Sequence, residues 1–209
     1  MTRREWLCRA GAVMVAGVGL ERDVRAQPDW TPLFDGATLG RWEQTSFGGE
    51  GPVGVRDGAI VLEMGDPLTG ITWTGEALPA AYEIALEAVR LAGSDFFCAL
   101  TFPVGASHCS LILGGWGGTT VGLSSIDGLD ASENETTREM RFEDKRWYRV
   151  RVAVTATHIR AWLDEQPIVD VAITSRKIGI RPEVDPSRPL GIASYRTRAG
   201  LRGIRLRAL

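Results

Sequence analysis

The chain has 209 residues, 44% hydrophobic and 24% charged, which fits one globular domain and is short for two. Lysine plus arginine number 24 against 26 acidic residues, so the net charge of −2 offers no basic excess for a phosphate backbone and argues against nucleic acid as a partner. The 25 glycines and 10 prolines are spread among apolar runs, which points to a fold rich in turns and away from disorder.

In chain order, residues 1–26 read as an export signal and 27–209 as a single domain. The signal consists of Arg3-Arg4, the apolar small-residue run Ala10 to Leu20, and Val24-Arg25-Ala26 with small residues at both cleavage positions, so the mature chain is expected to start at Gln27. Arg3-Arg4 with Trp6 and Leu7 resembles a twin-arginine signal, and a Sec signal is the alternative. Neither the apolar run nor any later segment is long enough for a stable membrane span. Export places the mature chain in the periplasm or outside the cell.

Beyond the signal the dominant period is two. Val53 to Arg56 and Ala59 to Met64 flank Asp57-Gly58, a two-residue hairpin signal, because Asp-Gly tolerates the positive φ angles of a type I′ turn. Strands are expected at Ile71 to Thr74, Asp95 to Phe102, His108 to Leu113 and Thr119 to Ser125, and again at Pro167 to Ile173, Leu190 to Tyr195 and Leu201 to Leu206. Ala80 to Leu91 combines helix-favouring Ala, Glu and Leu with the alternation of Tyr82, Ile84, Leu86 and Ala88, and the alternation assigns it as strand. Arg146 to Thr155 and His158 to Asp164 form a hairpin around Ala156-Thr157. Its register sets Arg151 opposite Trp162 on an outward Arg and Trp ladder, with an apolar inward side.

About a dozen short strands without intervening helices imply an all-β, two-sheet antiparallel jelly-roll sandwich. Cys98 and Cys109 flank the loop Pro103 to Ser107. A turn near Pro103-Val104 would set them opposite each other, and one at Gly105 would offset them, so two separately buried thiols are expected.

The opening segment Trp30-Thr-Pro-Leu-Phe-Asp-Gly-Ala-Thr-Leu-Gly-Arg-Trp42 is similar to the "L-F-[DN]-G-x-x-L-x-x-W" start of the secreted bacterial 3-keto-disaccharide hydrolase family. Val55 to Val61, Arg146 to Val150, Ala161 to Gln166, Leu190 to Ala193 and Leu201 to Arg205 fit the same family. In mid-chain, His108-Cys-Ser-Leu-Ile-Leu-Gly-Gly-Trp-Gly-Gly118 replaces the family's Glu-x-Gln-Ile-like strand. The resemblance implies a concanavalin-like sandwich and a carbohydrate partner oxidised at C3. A ketone there acidifies the C2 hydrogen, so elimination of the aglycone and hydration of the glycal become possible. That chemistry needs a base, a partner for the enolate oxygen and a proton for the leaving group.

The densest polar segment is Ser124 to Thr137, where Asp127, Asp130, Glu133 and Glu135 place four carboxylates within nine residues. Asp127 or Glu135 could act as base and acid, with Asp130 and Asn134 contacting sugar hydroxyls. The same oxygens could ligate Ca2+ or another divalent cation, although EF-hand spacing is absent, and a solvated acidic loop explains them equally well. Trp116, bracketed by glycines, is a candidate sugar platform or a plug at the end of the sandwich. His108 is the candidate auxiliary acid or base or a structural histidine. Arg181 and Glu183 are candidates for binding substrate or an enolate, or belong to a surface ion-pair cluster.

Overall fold

The period-two pattern becomes strand along most of the chain in the computed structural model, which describes residues 29–209; the expected export signal lies outside the described residues. The strands are β1 (Thr31–Pro32), β2 (Trp42–Gln44), β3 (Val53–Arg56), β4 (Ala59–Leu62), β5 (Leu68–Trp73), β6 (Tyr82–Gly93), β7 (Cys98–Val104) and β8 (Ser107–Gly114). They continue with β9 (Thr120–Ser124), β10 (Arg138–Glu139), β11 (Trp147–Val154), β12 (His158–Leu163), β13 (Gln166–Ala172), β14 (Gly191–Tyr195) and β15 (Thr197–Ala208). A 3-10 helix, Pro182–Ser187, precedes β14.

Two antiparallel sheets face each other. One has the order β13-β12-β11-β6-β15-β4-β3, with β1 also on β15, and the other the order β10-β9-β8-β7-β14-β5-β2. Leu86, Val150, Val152 and Ile159 from the first sheet and Leu100, Phe102, Leu111 and Leu113 from the second fill the space between them. This is the all-β sandwich expected from the alternation. Among the described residues no helix is long and apolar enough to cross a membrane.

Local chemistry accounts for the elements. Asp57 and Gly58 both take positive φ, 51° and 75°, as a type I′ turn between β3 and β4 requires. β6 is a strand despite its composition, because it lies between β11 and β15 and buries Tyr82, Ile84, Leu86 and Ala88. Arg151 does stand opposite Trp162, its guanidinium carbon 3.7 Å from the ring centroid. β1, β2 and β10 are too short for any period to show in the sequence.

The β7–β8 hairpin turns at Gly105 and Ala106, with Val104 opposite Ser107. Cys98 therefore pairs with Leu113 and Cys109 with Phe102, and both cysteines are free and buried. Burial pushes each thiol up to about 12. Neither is expected to react with a maleimide in the native protein, and both should label on denaturation without reductant. Fast native labelling, or labelling only after reduction, would contradict this placement.

Candidate functional site

The seven-stranded sheet is apolar on both faces at its centre. Leu68, Ala99, Ile112 and Ala193 lie on its outer side in a second, smaller cluster with Ala131 and Val184, apart from the main core. Two coverings sit on that face. The segment 125–137 packs over β9, where a Cβ on Gly122 would lie 2.8 Å from the Ala131 carbonyl oxygen. The 3-10 helix packs over β14, where a Cβ on Gly191 would lie 2.5 Å from the Ser187 carbonyl oxygen. Small residues at these two positions let the coverings seat directly on the sheet.

Beside the 3-10 helix runs a groove of about 300 Å3 lined by Pro67, Leu68, Asp95, Phe96, Ser110, Ile112, Trp116, Ser124, Arg181, Glu183, Val184 and Tyr195. A volume of this order suits a small organic ligand. Trp116 stands at its margin, 45% exposed, in a turn where Trp116 and Gly117 both have left-handed φ (49° and 90°). Asp95 ties this turn down by accepting from the Gly117 and Phe96 backbone N–H groups at 3.1 and 2.7 Å.

Arg181 immediately precedes the 3-10 helix. Its Nε and Nη2 donate to the two oxygens of Glu183 at 3.3 and 2.8 Å, and its Nη1 donates to Asp130. Asp130 also accepts from Ser124 Oγ at 3.2 Å. The Arg181 hydrogen bonds hold the Glu183 carboxyl below the ordinary value for glutamate. Of the five guanidinium N–H groups three are engaged, which leaves two for a ligand oxygen.

Trp116, Arg181 and Glu183 thus line the groove together, and Asp130 joins them through Arg181. The other candidates stand elsewhere. Asp127 accepts from the Lys177 backbone N–H at 2.7 Å and from Arg176 at 2.6 Å, and Glu135 pairs with the same guanidinium at 2.7 Å. The backbone bond from Lys177 and the ion pair hold Asp127 below its usual value, and Arg176 does the same for Glu135. Neither lines the groove. His108 is half-buried on the outer side of β8, outside the lining, where burial and the charge of Arg188 lower its pKa. It is therefore neutral at pH 7.

Asn134 serves the loop itself. Its amide donates to the carbonyls of Leu123, Leu129 and Asp130 at 2.7, 3.1 and 2.7 Å, and its oxygen accepts from Thr136 N and Oγ1 at 3.0 and 2.6 Å. With these bonds made inside a buried site, the side chain does not reach the groove as the sequence reading expected. Asn134→Ala should cost about 3 kcal/mol in chemical denaturation, because the buried Leu123 carbonyl loses a donor and the buried Thr136 N–H and hydroxyl lose their acceptor. A loss below about 1 kcal/mol would refute this role.

The acidic loop does not fit a cation. Its carboxylates diverge toward Arg176 and Arg181, and among the described residues no three His, Cys, Asp or Glu side chains are grouped to hold a metal. Sequence reasoning missed Phe96, Tyr195, Asp95, Ser110 and Ser124. A signal was present, since β7 and β8 read as apolar on both faces (Ala99 beside Leu100, Ile112 beside Leu111), the mark of a covered sheet.

Solved structures with this fold include a glycosyl hydrolase-like protein from Parabacteroides distasonis, which is 14% identical with a TM-score of 0.58 over 86% of this chain and 94% of that one. The carbohydrate binding module CBM66 from Bacillus subtilis is 10% identical, TM-score 0.55, over 80% and 96% of the two chains. Domain 4 of the arabinanase AbnA from Geobacillus stearothermophilus, solved with arabinotriose, is 11% identical, TM-score 0.54, over 87% and 92%. No curated protein matches the chain in sequence. Residues 29–207, almost all of the sandwich and every residue of the groove, match the model of the 3-keto-alpha-glucoside-1,2-lyase-like domain, and the chain belongs to that family.

Proposed function

We propose that the groove binds a saccharide and that the chain processes 3-keto-glycosides by elimination followed by hydration. Arg181 carries this reading: a guanidinium with two uncommitted N–H groups opens into a ligand-sized groove, beside an ionised carboxylate, and an exposed indole lines the same groove. Trp116 supplies the apolar platform for a sugar ring. Glu183 removes the C2 proton, and Arg181 donates to the ketone oxygen as it gains negative charge. The protonated Glu183 then returns that proton to the departing aglycone oxygen as the C1–O bond breaks, and water adds to the keto-glycal. Asp130 acts as a positioning residue, holding Arg181 from the side of β9. Family membership supports the reaction, and the fold neighbours, among them a carbohydrate binding module and an arabinotriose complex, support the ligand class.

A carbohydrate-binding module without catalysis is the second reading. It is favoured by the groove lining, which contains no histidine and whose Glu183 already carries an ion pair. Incubating the purified protein with an ordinary disaccharide and its 3-keto derivative separates the two. Release of sugar from the keto compound alone is the expected result; binding of either compound without any release would leave only the module.

A further inference from the structure

The two sides of the groove differ in chemistry. Ser124 belongs to β9 and Ser110 to β8; Ser124 donates to Asp130, which holds Arg181, which in turn holds Glu183. Tyr195 belongs to β14 and Leu68 to β5, two and three strands beyond β8, with Pro67 and Phe96 beside them. The Phe96 and Tyr195 rings lie 5.6 Å apart, tilted by 41°, and the Tyr195 backbone N–H donates to the Phe96 carbonyl at 3.0 Å. They form one fixed apolar wall.

We infer that the groove is shaped for glycosides carrying an aromatic aglycone, with the sugar ring toward Arg181 and the aglycone ring against Phe96, Tyr195 and Leu68. This rests on the groove being the ligand site, as proposed above, and specifies what the ligand carries. A second sugar in place of the aglycone would present hydroxyls to Leu68, Pro67 and ring faces, and each hydroxyl that loses water there without a partner is penalised. Asp95 is the charged residue of the lining on this side, and both its oxygens already accept backbone N–H groups; Arg196, whose guanidinium carbon lies 5.6 Å from the Tyr195 ring centroid, is outside the lining. A flat aromatic ring meets the same surface with apolar area and ring-to-ring contact.

The test is calorimetric titration of the purified protein with 2-naphthyl glucoside and with cellobiose, neither of which needs to react. The naphthyl glucoside should bind about tenfold tighter or more, and Tyr195→Ala or, independently, Phe96→Ala should bring it within about threefold of cellobiose. Equal affinities in the native protein, an aryl advantage that survives both substitutions, or no binding of either compound would overturn the proposal. Turnover is read separately on the 3-keto derivatives of both compounds. An aryl advantage in binding without release from either derivative would sink the elimination reaction and leave this assignment standing.

Discussion

Arg181→Met is expected to lower turnover of a 3-keto-glycoside by roughly a hundredfold or more, because it removes the only cation at the place where the enolate charge develops. The groove lining contains no other basic residue. The fold should be little affected, since the ion pairs of Arg181 are 42% exposed on the arginine side and pairs of that kind contribute little to stability. Glu183→Gln should cause a loss of similar size by removing the base, with ligand affinity nearly kept. The pH profile offers a further check. Arg181 lowers the Glu183 carboxyl below its ordinary value of 4.5, so Glu183 remains an ionised base at neutral pH, and the acid limb should fall below pH 4.5. Arg181→Met removes the cause of that depression and should move the residual acid limb upward. Turnover within about threefold of the original in both variants would remove Arg181 and Glu183 from the reaction.

Glu83→Ala is expected to destabilise the protein by about 3 kcal/mol or more, the largest loss from any single carboxylate. Glu83 sits on β6, in the middle of the eight-stranded sheet, opposite Ala153 on β11 and Arg207 on β15. Its side chain is 6% exposed and receives Arg151 at 2.7 Å on one oxygen and Arg207 at 2.5 Å on the other. Arg151 lies over Trp162 and Arg207 lies over Trp30, so both guanidinium groups are held in place by stacking as well as by the carboxylate. Removing Glu83 takes away the buried carboxylate that lies between two neighbouring, largely covered guanidinium groups. Glu83→Met combined with Arg207→Met should recover much of the loss, because apolar side chains of similar length replace the buried charges. Chemical denaturation of the three proteins measures both effects. A loss below about 1 kcal/mol for Glu83→Ala would show that the arginines find water or other acids instead.

These two sites differ in how far the linear chain announces them. The ladder containing Arg151 and Trp162 follows from alternation and from a short hairpin, both properties of residues close in sequence. The same locality explains why β6 is recognisable as strand and why Asp57-Gly58 is recognisable as a turn. Trp116, Arg181 and Glu183 are visible as candidates because glycines bracket the first and charges cluster around the others. The function expected of the acidic loop fails for the opposite reason. Arg176 is 49 residues from Asp127, and its two ion pairs turn an apparent catalytic cluster into a compensated surface. Asn134 reads as an exposed polar residue in a loop, yet it makes five hydrogen bonds within that loop and is buried by them.

The amino-acid sequence by itself determined the longer strands, the two-sheet sandwich and the family, because period, turn chemistry and motif spacing act over a few residues at a time, whereas the turn at Gly105-Ala106 that separates the thiols was decided by the β7–β8 register. Only the tertiary structure decided which outer face carries the site and which candidates meet there. Tyr195, Phe96, Ser110 and Ser124 are brought together from distant parts of the chain by the strand order β9-β8-β7-β14. Charges, likewise, are neutralised or left available by partners that folding brings from about 50 residues away. Pairings of that range depend on how the sheets are threaded, and composition along a single segment carries no record of them.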